Sequence, residues 1–140
     1  MGLSPPLSSY ETNWFGGFDA CPLIGSNVHF AKSLNLTENE VIAETATTEK
    51  KIWLSGTASQ PTPDSIWYWY ENIQENIYEE ILWYNWKDNE PNVTEHSSLC
   101  LASYGINMKY AGQWFNRKCE KLLRVYSLRR LFFAYADLKT

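Results

Sequence analysis

Residues 86–92 read Trp86-Lys87-Asp88-Asn89-Glu90-Pro91-Asn92. In this stretch a tryptophan precedes a proline that is flanked by a carboxylate and an amide side chain. The stretch lies within residues 71–98, where Asn, Glu and aromatic residues follow neither a strand nor a helix period. Because long loops in compact domains are usually functional, we predict a functional loop region here.

Helical patterns precede this region and strand patterns surround it. A short apolar helical stripe at i, i+1, i+4 and i+7 is formed by Trp14, Phe15, Phe18 and Cys21. Thr37 and Glu40 have the spacing of a capping box, which predicts a second helix over residues 38–47. Short β-rich runs, separated by Gly, Pro, Asn and Asp, lie at residues 52–54, 66–70, 99–103, 113–115 and 122–126. Helices first and strands later indicate an α+β fold.

The composition indicates one globular domain. The chain has 140 residues with 7 Trp, 9 Tyr and 6 Phe, which is ample apolar surface for a core. Charged residues make up 20% and the net charge is -4, which excludes a disordered chain and a nucleic-acid binder that neutralises phosphates.

The apolar run at residues 131–136 is far shorter than the roughly 18 to 20 residues of a membrane span, so no membrane partner is expected. The start of the chain has no secretory signal pattern.

Five segments in order resemble the sequence of a C-type lectin-like domain. They are Asn13-Trp14 through Cys21 with Leu23-Ile24-Gly25, Trp53-Leu54-Ser55-Gly56, Trp86 with Glu90-Pro91-Asn92, Cys100, and Gly112-Gln113-Trp114 leading to Cys119. The resemblance implies a C-type lectin-like fold of two helices, two small antiparallel sheets and a long loop region. It also implies a domain over residues 10–127, with a disordered N-terminal segment at 1–9 and a divergent tail at 128–140.

In sugar-binding members of this family the long loop holds calcium, and the resemblance assigns both calcium and carbohydrate ligands to Glu90, Asn92 and Asn116. Calcium takes about six to eight oxygen ligands, and a liganding amide or carboxylate also hydrogen-bonds a sugar hydroxyl. The order Glu then Asn around the proline is associated with mannose-type sugars. Two further ligand positions hold Ser98 and Phe115, and Asn116 replaces an aspartate. Because affinity follows ligand charge and number, we expect a weak calcium site.

The Glu90-Pro91-Asn92 segment has other interpretations. It is a turn around the proline, or Asn92-Val93-Thr94 is a glycosylation acceptor, as is Asn35-Leu36-Thr37. A glycan on Asn92 would remove that side chain from any metal site, so these two uses exclude each other.

The three cysteines are an odd number, so a disulfide within the chain leaves one thiol. The resemblance implies a disulfide between Cys100 and Cys119. Ser127 stands where the family has its last cysteine, so Cys21 is expected to stay a thiol or to link two chains.

Six apolar residues are predicted to be buried, because they occupy the apolar phases of the strands and the family's packing positions: Trp53, Leu54, Trp69, Trp86, Leu101 and Trp114. Alternate members of the aromatic run 67–70 should also be core, which leaves Tyr68, Tyr70 or Trp83 exposed. Exposed rings of this kind could stack on sugars.

The sequence therefore predicts a non-catalytic recognition module, which the resemblance places outside the cell as a secreted glycoprotein. The first interpretation is mannose-type carbohydrate binding, with a glycan or glycoprotein ligand and an impaired calcium site. The alternative is a calcium-independent domain that binds a protein partner through its long loop and exposed aromatics. His29 and His96 with Cys21 carry no local signature of a thiol nucleophile, so an enzyme is not expected.

Overall fold

The structure is a computed structural model that describes residues 7–24, 28–45, 51–60, 62, 64–93, 99–105 and 108–129. Its elements in chain order are β1 (Leu7–Thr12), a 3-10 turn (Trp14–Gly16), α1 (Gly17–Ile24), β2 (Val28–Phe30), α2 (Leu36–Thr45), β3 (Lys51–Ala58), β4 (Trp67–Asn72), β5 (Ile77–Glu80), β6 (Cys100–Tyr104), β7 (Trp114–Arg117) and β8 (Leu123–Arg129). Neither of these two helices is long and apolar enough to cross a membrane.

β3 joins the other strands into one sheet. Its first half pairs antiparallel with β6, and its last residues, from Gly56 to Ala58, pair antiparallel with β4. The ladder with β6 shifts between Trp53 and Thr57, and Thr57 still pairs with Cys100 of β6. β8 runs parallel to the first half of β3. The predicted α+β class is confirmed. The two small antiparallel sheets that the resemblance implied are joined in a single mixed sheet, because β3 pairs with strands on both of its edges.

The N-terminal strand begins earlier than the sequence pattern suggested. β1 starts at Leu7, which pairs with Tyr126 of β8. Residues 7–9 therefore belong to a strand, which corrects the predicted disordered segment over residues 1–9. These residues form a strand because their backbone pairs with β8, and the local sequence has no strand pattern that would predict it. Residues 1–6 lie outside the described residues.

The C-terminal strand runs past the predicted end of the domain. β8 continues to Arg129 because residues 127–129 pair antiparallel with β2. The predicted boundary at 127 thus falls inside a strand. The rest of the predicted tail, residues 130–140, lies outside the described residues.

The cap of α2 differs from the predicted one. The Oδ1 atom of Asn35 accepts a hydrogen bond from the Glu38 backbone N–H at 2.9 Å, and the Glu38 carboxylate accepts one from the Leu34 N–H at 2.8 Å. Asn35 is thus the N-cap residue that we assigned to Thr37, and Glu38 has the place assigned to Glu40, although its carboxylate binds the N–H of the residue before the cap rather than that of the cap itself. The prediction was wrong by two residues, because asparagine is at least as good an N-cap residue as threonine.

Two clusters of buried side chains form the core. The first contains Ala31, Ile42, Ile52, Leu54, Ala58, Trp67, Trp69, Ile81, Leu101 and Trp114. The second contains Trp14, Cys21, Val28, Phe30, Trp53, Cys100, Ala102, Phe115 and Val125. Neighbouring residues of β3, β6 and β7 fall in different clusters, so the clusters lie on opposite faces of the sheet.

The predicted burial is confirmed for five of the six residues, namely Trp53, Leu54, Trp69, Leu101 and Trp114. Trp86 is only partly buried. It packs edge-on against Trp67 at the border of the first cluster, with ring centroids 5.1 Å apart.

β4 and β5 form a hairpin that extends into the region that was predicted to be irregular. Asn76, in its turn, has a positive φ of 58°, which asparagine tolerates. The irregular region therefore begins after β5, at residue 81, rather than at residue 71. Along β4 the alternation was predicted correctly, since Trp67 and Trp69 are buried while Tyr68 and Tyr70 are partly exposed.

The predicted disulfide between Cys100 and Cys119 is present, with their Cα atoms 5.2 Å apart. It links β6 to the segment just after β7. Cys21 lies outside this bridge and is fully buried in the second cluster. Its burial favours a thiol over a link between two chains.

Candidate functional site

The loop that follows the hairpin, residues 81–93 and here called the long loop, is attached to β7. The backbone N–H of Trp114 donates to the Asn85 carbonyl at 2.8 Å, and the Lys87 N–H donates to the Trp114 carbonyl at 3.0 Å. The Asn85 side chain also donates to the carbonyl of Gly112 at 2.8 Å. These bonds fix the first half of the long loop relative to the sheet.

Aromatic rings form the base of the long loop. The ring centroids of Trp83, Trp86 and Tyr84 lie 5.5, 6.0 and 6.4 Å from that of Trp114. Burial raises the pKa of Tyr84, a backbone hydrogen bond at Trp67 opposes the rise, and the carboxylate of Glu80 adds to it. The Tyr84 phenol therefore stays protonated at physiological pH. Trp83, a candidate for exposure, is partly buried against this base.

A sharp turn brings the polar side chains together. The Glu90-Pro91 peptide bond is cis, and Asn89 has a positive φ of 70°. The N–H of Glu90 donates to the Lys87 carbonyl at 2.9 Å, which closes the turn. Glu90 is partly buried and Asn92 is exposed, so both predicted ligand residues lie at the loop surface.

Asn116 holds this turn through two hydrogen bonds. Its Oδ1 atom accepts from the Asn92 backbone N–H at 2.7 Å, and its Nδ2 atom donates to the Asn92 carbonyl at 2.7 Å. The Oε1 atom of Glu90 lies 3.2 Å from the same N–H. The structure therefore brings the three predicted site residues together, but it uses the Asn116 amide to bind backbone. We call this pair of bonds the Asn116 clamp.

Phe115 lies on the other face of β7 from Asn116. Its ring is fully buried in the second cluster, 4.4 Å from the ring of Tyr104. It was expected to place a ring among the loop ligands, and that expectation is wrong, because successive residues of a strand point to opposite faces. Residues two apart on a strand share a face, and Trp114 was predicted to be buried. The sequence alone could therefore have placed Asn116 on the same face of β7 as Trp114, which is the face toward the long loop.

The oxygen atoms of the predicted ligand residues, as they are arranged here, do not form a binding site for a calcium ion. Glu90 is the sole carboxylate among the predicted ligands, and Asn116 already makes two hydrogen bonds. Within the described ranges, no three His, Cys, Asp or Glu side chains gather at one point. Ser98, together with Glu95 and His96, lies outside the described residues. Calcium takes about six to eight oxygens, which these described side chains do not offer.

Replacing Asn116 with alanine is expected to lower the free energy of unfolding by about 2 kcal/mol. The change removes two partly buried hydrogen bonds and leaves the Asn92 backbone groups without them. Urea unfolding measures the loss. Asn92→Ala is the control, because it keeps the backbone groups that Asn116 binds and should cost less. Equal losses in both variants would contradict the clamp.

Comparison with known proteins gives the family of folds. No protein-family model and no curated protein sequence matches the chain. Among solved structures, the C-type lectin domain of murine dendritic cell inhibitory receptor 2, in complex with N-glycan, matches with a TM-score of 0.66 at 15% identity, over 92% of this chain and 97% of that chain.

Two further structures match over similar lengths. The cow carbohydrate-recognition domain of CD23, in the presence of a GlcNAc2Man3 oligosaccharide, has a TM-score of 0.64 at 16% identity, over 87% of this chain and 82% of that chain. A calcium-independent type II antifreeze protein has a TM-score of 0.65 at 16% identity, over 91% of this chain and 92% of that chain. At such identities the similarity establishes the fold.

Proposed function

Because the chain has the C-type lectin-like fold, we propose that it is a non-catalytic recognition domain that binds glycans without calcium. The Asn116 clamp carries this proposal. A loop that depends on a metal for its shape needs its amide and carboxylate oxygens turned to the ion. Here the Asn116 amide is turned to the Asn92 backbone, which supports a turn that keeps its shape without a metal.

The surface of the long loop has the groups that a sugar requires. Glu90 offers carboxylate oxygens that accept hydrogen bonds from hydroxyls, and the exposed Asn92 amide both donates and accepts. The order Glu then Asn around the cis proline supports a mannose-type sugar through the family resemblance. Two of the structural neighbours were solved with glycans, which supports the same ligand class.

We place this domain outside the cell. A disulfide between Cys100 and Cys119 persists in an oxidising compartment, and the Asn35 and Asn92 acceptor sequences would meet the glycosylation machinery there. Both asparagines are exposed. A glycan on Asn92 would cover the proposed site, so occupancy of that position would regulate binding.

Retention on a mannose resin tests the calcium independence. We expect equal retention with calcium and with a chelator, because the Asn116 clamp holds the turn in both. Glu90→Ala should abolish retention, since it removes the carboxylate of the site. Glu75→Ala is the matched control, because it removes an exposed carboxylate from the turn of the β4–β5 hairpin.

Calorimetry on the unglycosylated domain provides the second measurement. We expect no heat at micromolar calcium, because any affinity should be weaker than the roughly 10⁻⁴ to 10⁻³ M of extracellular modules. Restoring carboxylates with Ser98→Glu and Asn116→Asp should create measurable binding. Phe115 is left unchanged, since it is core. Retention that needs calcium and is lost in Glu90→Ala would overturn the proposal.

Protein binding is the second candidate function, and the outer face of the hairpin favours it. The Tyr78 ring centroid lies 5.0 Å from those of both Tyr68 and Tyr70, and all three side chains are partly or largely exposed. Glu80 is opposite Tyr68 in the ladder and shares this face, whereas Glu71 and Glu79 pair with Lys32. A carboxylate beside three tyrosine rings suits a cationic protein segment. A domain with this function would not be retained by mannose at either calcium level.

A further inference from the structure

Cationic side chains alternate with aromatic rings at the rim of the second core cluster. We propose that they bind the sulfate groups of a linear sulfated glycan. The set, here called the basic belt, consists of Lys51, Lys87, Lys109 and Arg117 with the rings of Tyr104, Tyr110 and Phe115. The inference rests on the proposed function only in taking the chain as a glycan-recognition domain, because the belt shares no residue with the Glu90 site.

One end of the basic belt is built on Phe115. The Arg117 guanidinium carbon lies 4.4 Å from the centroid of its ring, and the Lys51 Nζ atom lies 5.5 Å from it. Strand register explains the meeting, because Lys51 of β3 is paired with Tyr104 of β6, whose ring packs on Phe115. Both cations are thus held on one face of the sheet.

The other end is built on Tyr110. Its ring centroid lies 5.8 Å from that of Tyr104, which continues the line of rings. The Nζ atoms of Lys87 and Lys109 lie 4.6 and 5.3 Å from the Tyr110 centroid. Each cation–π contact restrains a long side chain, so a ligand orders less of it on binding.

The positive charge of the basic belt is not balanced locally. None of its four cations makes an ion pair with a carboxylate of the described residues. Burial lowers the pKa of Lys51, and the positive charges of Arg117 and Lys121 lower it further. These cations repel one another within a chain whose net charge is -4. A bound anion would relieve this repulsion.

A sulfated glycan fits this arrangement better than other polyanions. Sulfates stay ionised at every physiological pH, and they accept the charge-assisted hydrogen bonds that guanidinium and ammonium groups donate. Single-stranded nucleic acid stacks its bases on open aromatic faces. Phe115 is fully buried and Tyr110 has two ammonium groups over its ring, so the basic belt offers charge rather than open ring faces.

Fluorescence anisotropy with a labelled heparin octasaccharide tests the proposal. The double variants Lys51→Gln with Arg117→Gln, and Lys87→Gln with Lys109→Gln, should each weaken binding about tenfold at low salt. Added salt should weaken binding by the unaltered chain more than by either variant. Lys32→Gln is the matched control and should leave affinity within about twofold, because Lys32 already pairs with Glu71 and Glu79.

Four results would overturn the proposal: no binding by the unaltered chain, equal binding of a desulfated octasaccharide, equal weakening by Lys32→Gln, or tighter binding of polyglutamate or oligothymidylate. If the Lys51 and Arg117 variant fails to fold, the variant at Lys87 and Lys109 still decides, since neither of those residues is buried. Heparin binding without mannose retention supports the basic belt and rejects the Glu90 site. Mannose retention without heparin binding supports the Glu90 site and rejects the basic belt.

Discussion

Replacing Trp114 with alanine is expected to lower the free energy of unfolding by about 3 to 5 kcal/mol, as large-to-small changes in packed cores do. The Trp114 ring is fully buried and contacts the rings of Trp69, Trp83 and Trp86. Its Nε1–H donates to the Asn39 side chain at 3.1 Å, so the change also removes a buried hydrogen bond. A loss of this size could unfold a domain of ordinary stability.

Thermal and urea unfolding measure this effect, and two variants calibrate it. Trp114→Phe keeps a ring among the aromatic neighbours but loses the bond to Asn39, so its loss should be smaller. Phe15→Ala removes an aromatic side chain that is half exposed, and it should cost least. If Trp114→Ala unfolds at the same temperature as the unaltered chain, the packing described for the first cluster is wrong.

Removing the disulfide with Cys100→Ser and Cys119→Ser is expected to lower the free energy of unfolding by about 3 kcal/mol. The bridge closes a loop with a sequence separation of 19, and its loss restores chain entropy to the unfolded state. Chemical unfolding of the oxidised protein and the double variant gives the difference.

Cys21→Ala is the control for this experiment. It removes a buried sulfur without opening the bridge, so the loss should be smaller, about 1 kcal/mol. Alkylation under denaturing conditions should find one thiol in oxidised protein. Three thiols in material secreted by eukaryotic cells would show that the disulfide does not form.

Much of the fold followed from motifs that each record a local physical requirement. The burial of Trp114 and the disulfide of Cys119 were predicted correctly because both belong to the segment that resembles C-type lectin-like domains. The cap of α2 was misplaced because Thr37 and Asn35 are both acceptable N-cap residues, and only the tertiary position of the helix selects one. β1 was missed because its strand exists through pairing with β8, which is remote in sequence.

The sequence predicted which residues meet at the candidate site, but it did not predict the hydrogen bonds between them. Glu90, Asn92 and Asn116 do meet, as the resemblance implied. That the Asn116 amide binds the Asn92 backbone depends on the distance between β7 and the cis-proline turn, which no sequence pattern specifies. The basic belt was missed for a similar reason, because Lys51 and Arg117 are far apart along the chain and meet only through the β3, β6 and β7 register.

The pairing of β1 with β8 has a mechanical consequence. Leu7, at the start of β1, is opposite Tyr126, in the middle of β8, and β8 continues past it to Arg129, paired with β2. Because β1 and β8 are antiparallel, the start of β1 and the end of β8 point the same way. Tension that pulls those ends apart acts across one end of this ladder and breaks its hydrogen bonds one after another rather than all together. β1 therefore peels away from β8 under a small force, while β8 keeps its pairing with β2 and β3, and β7, with the long loop attached to it, stays paired with β6.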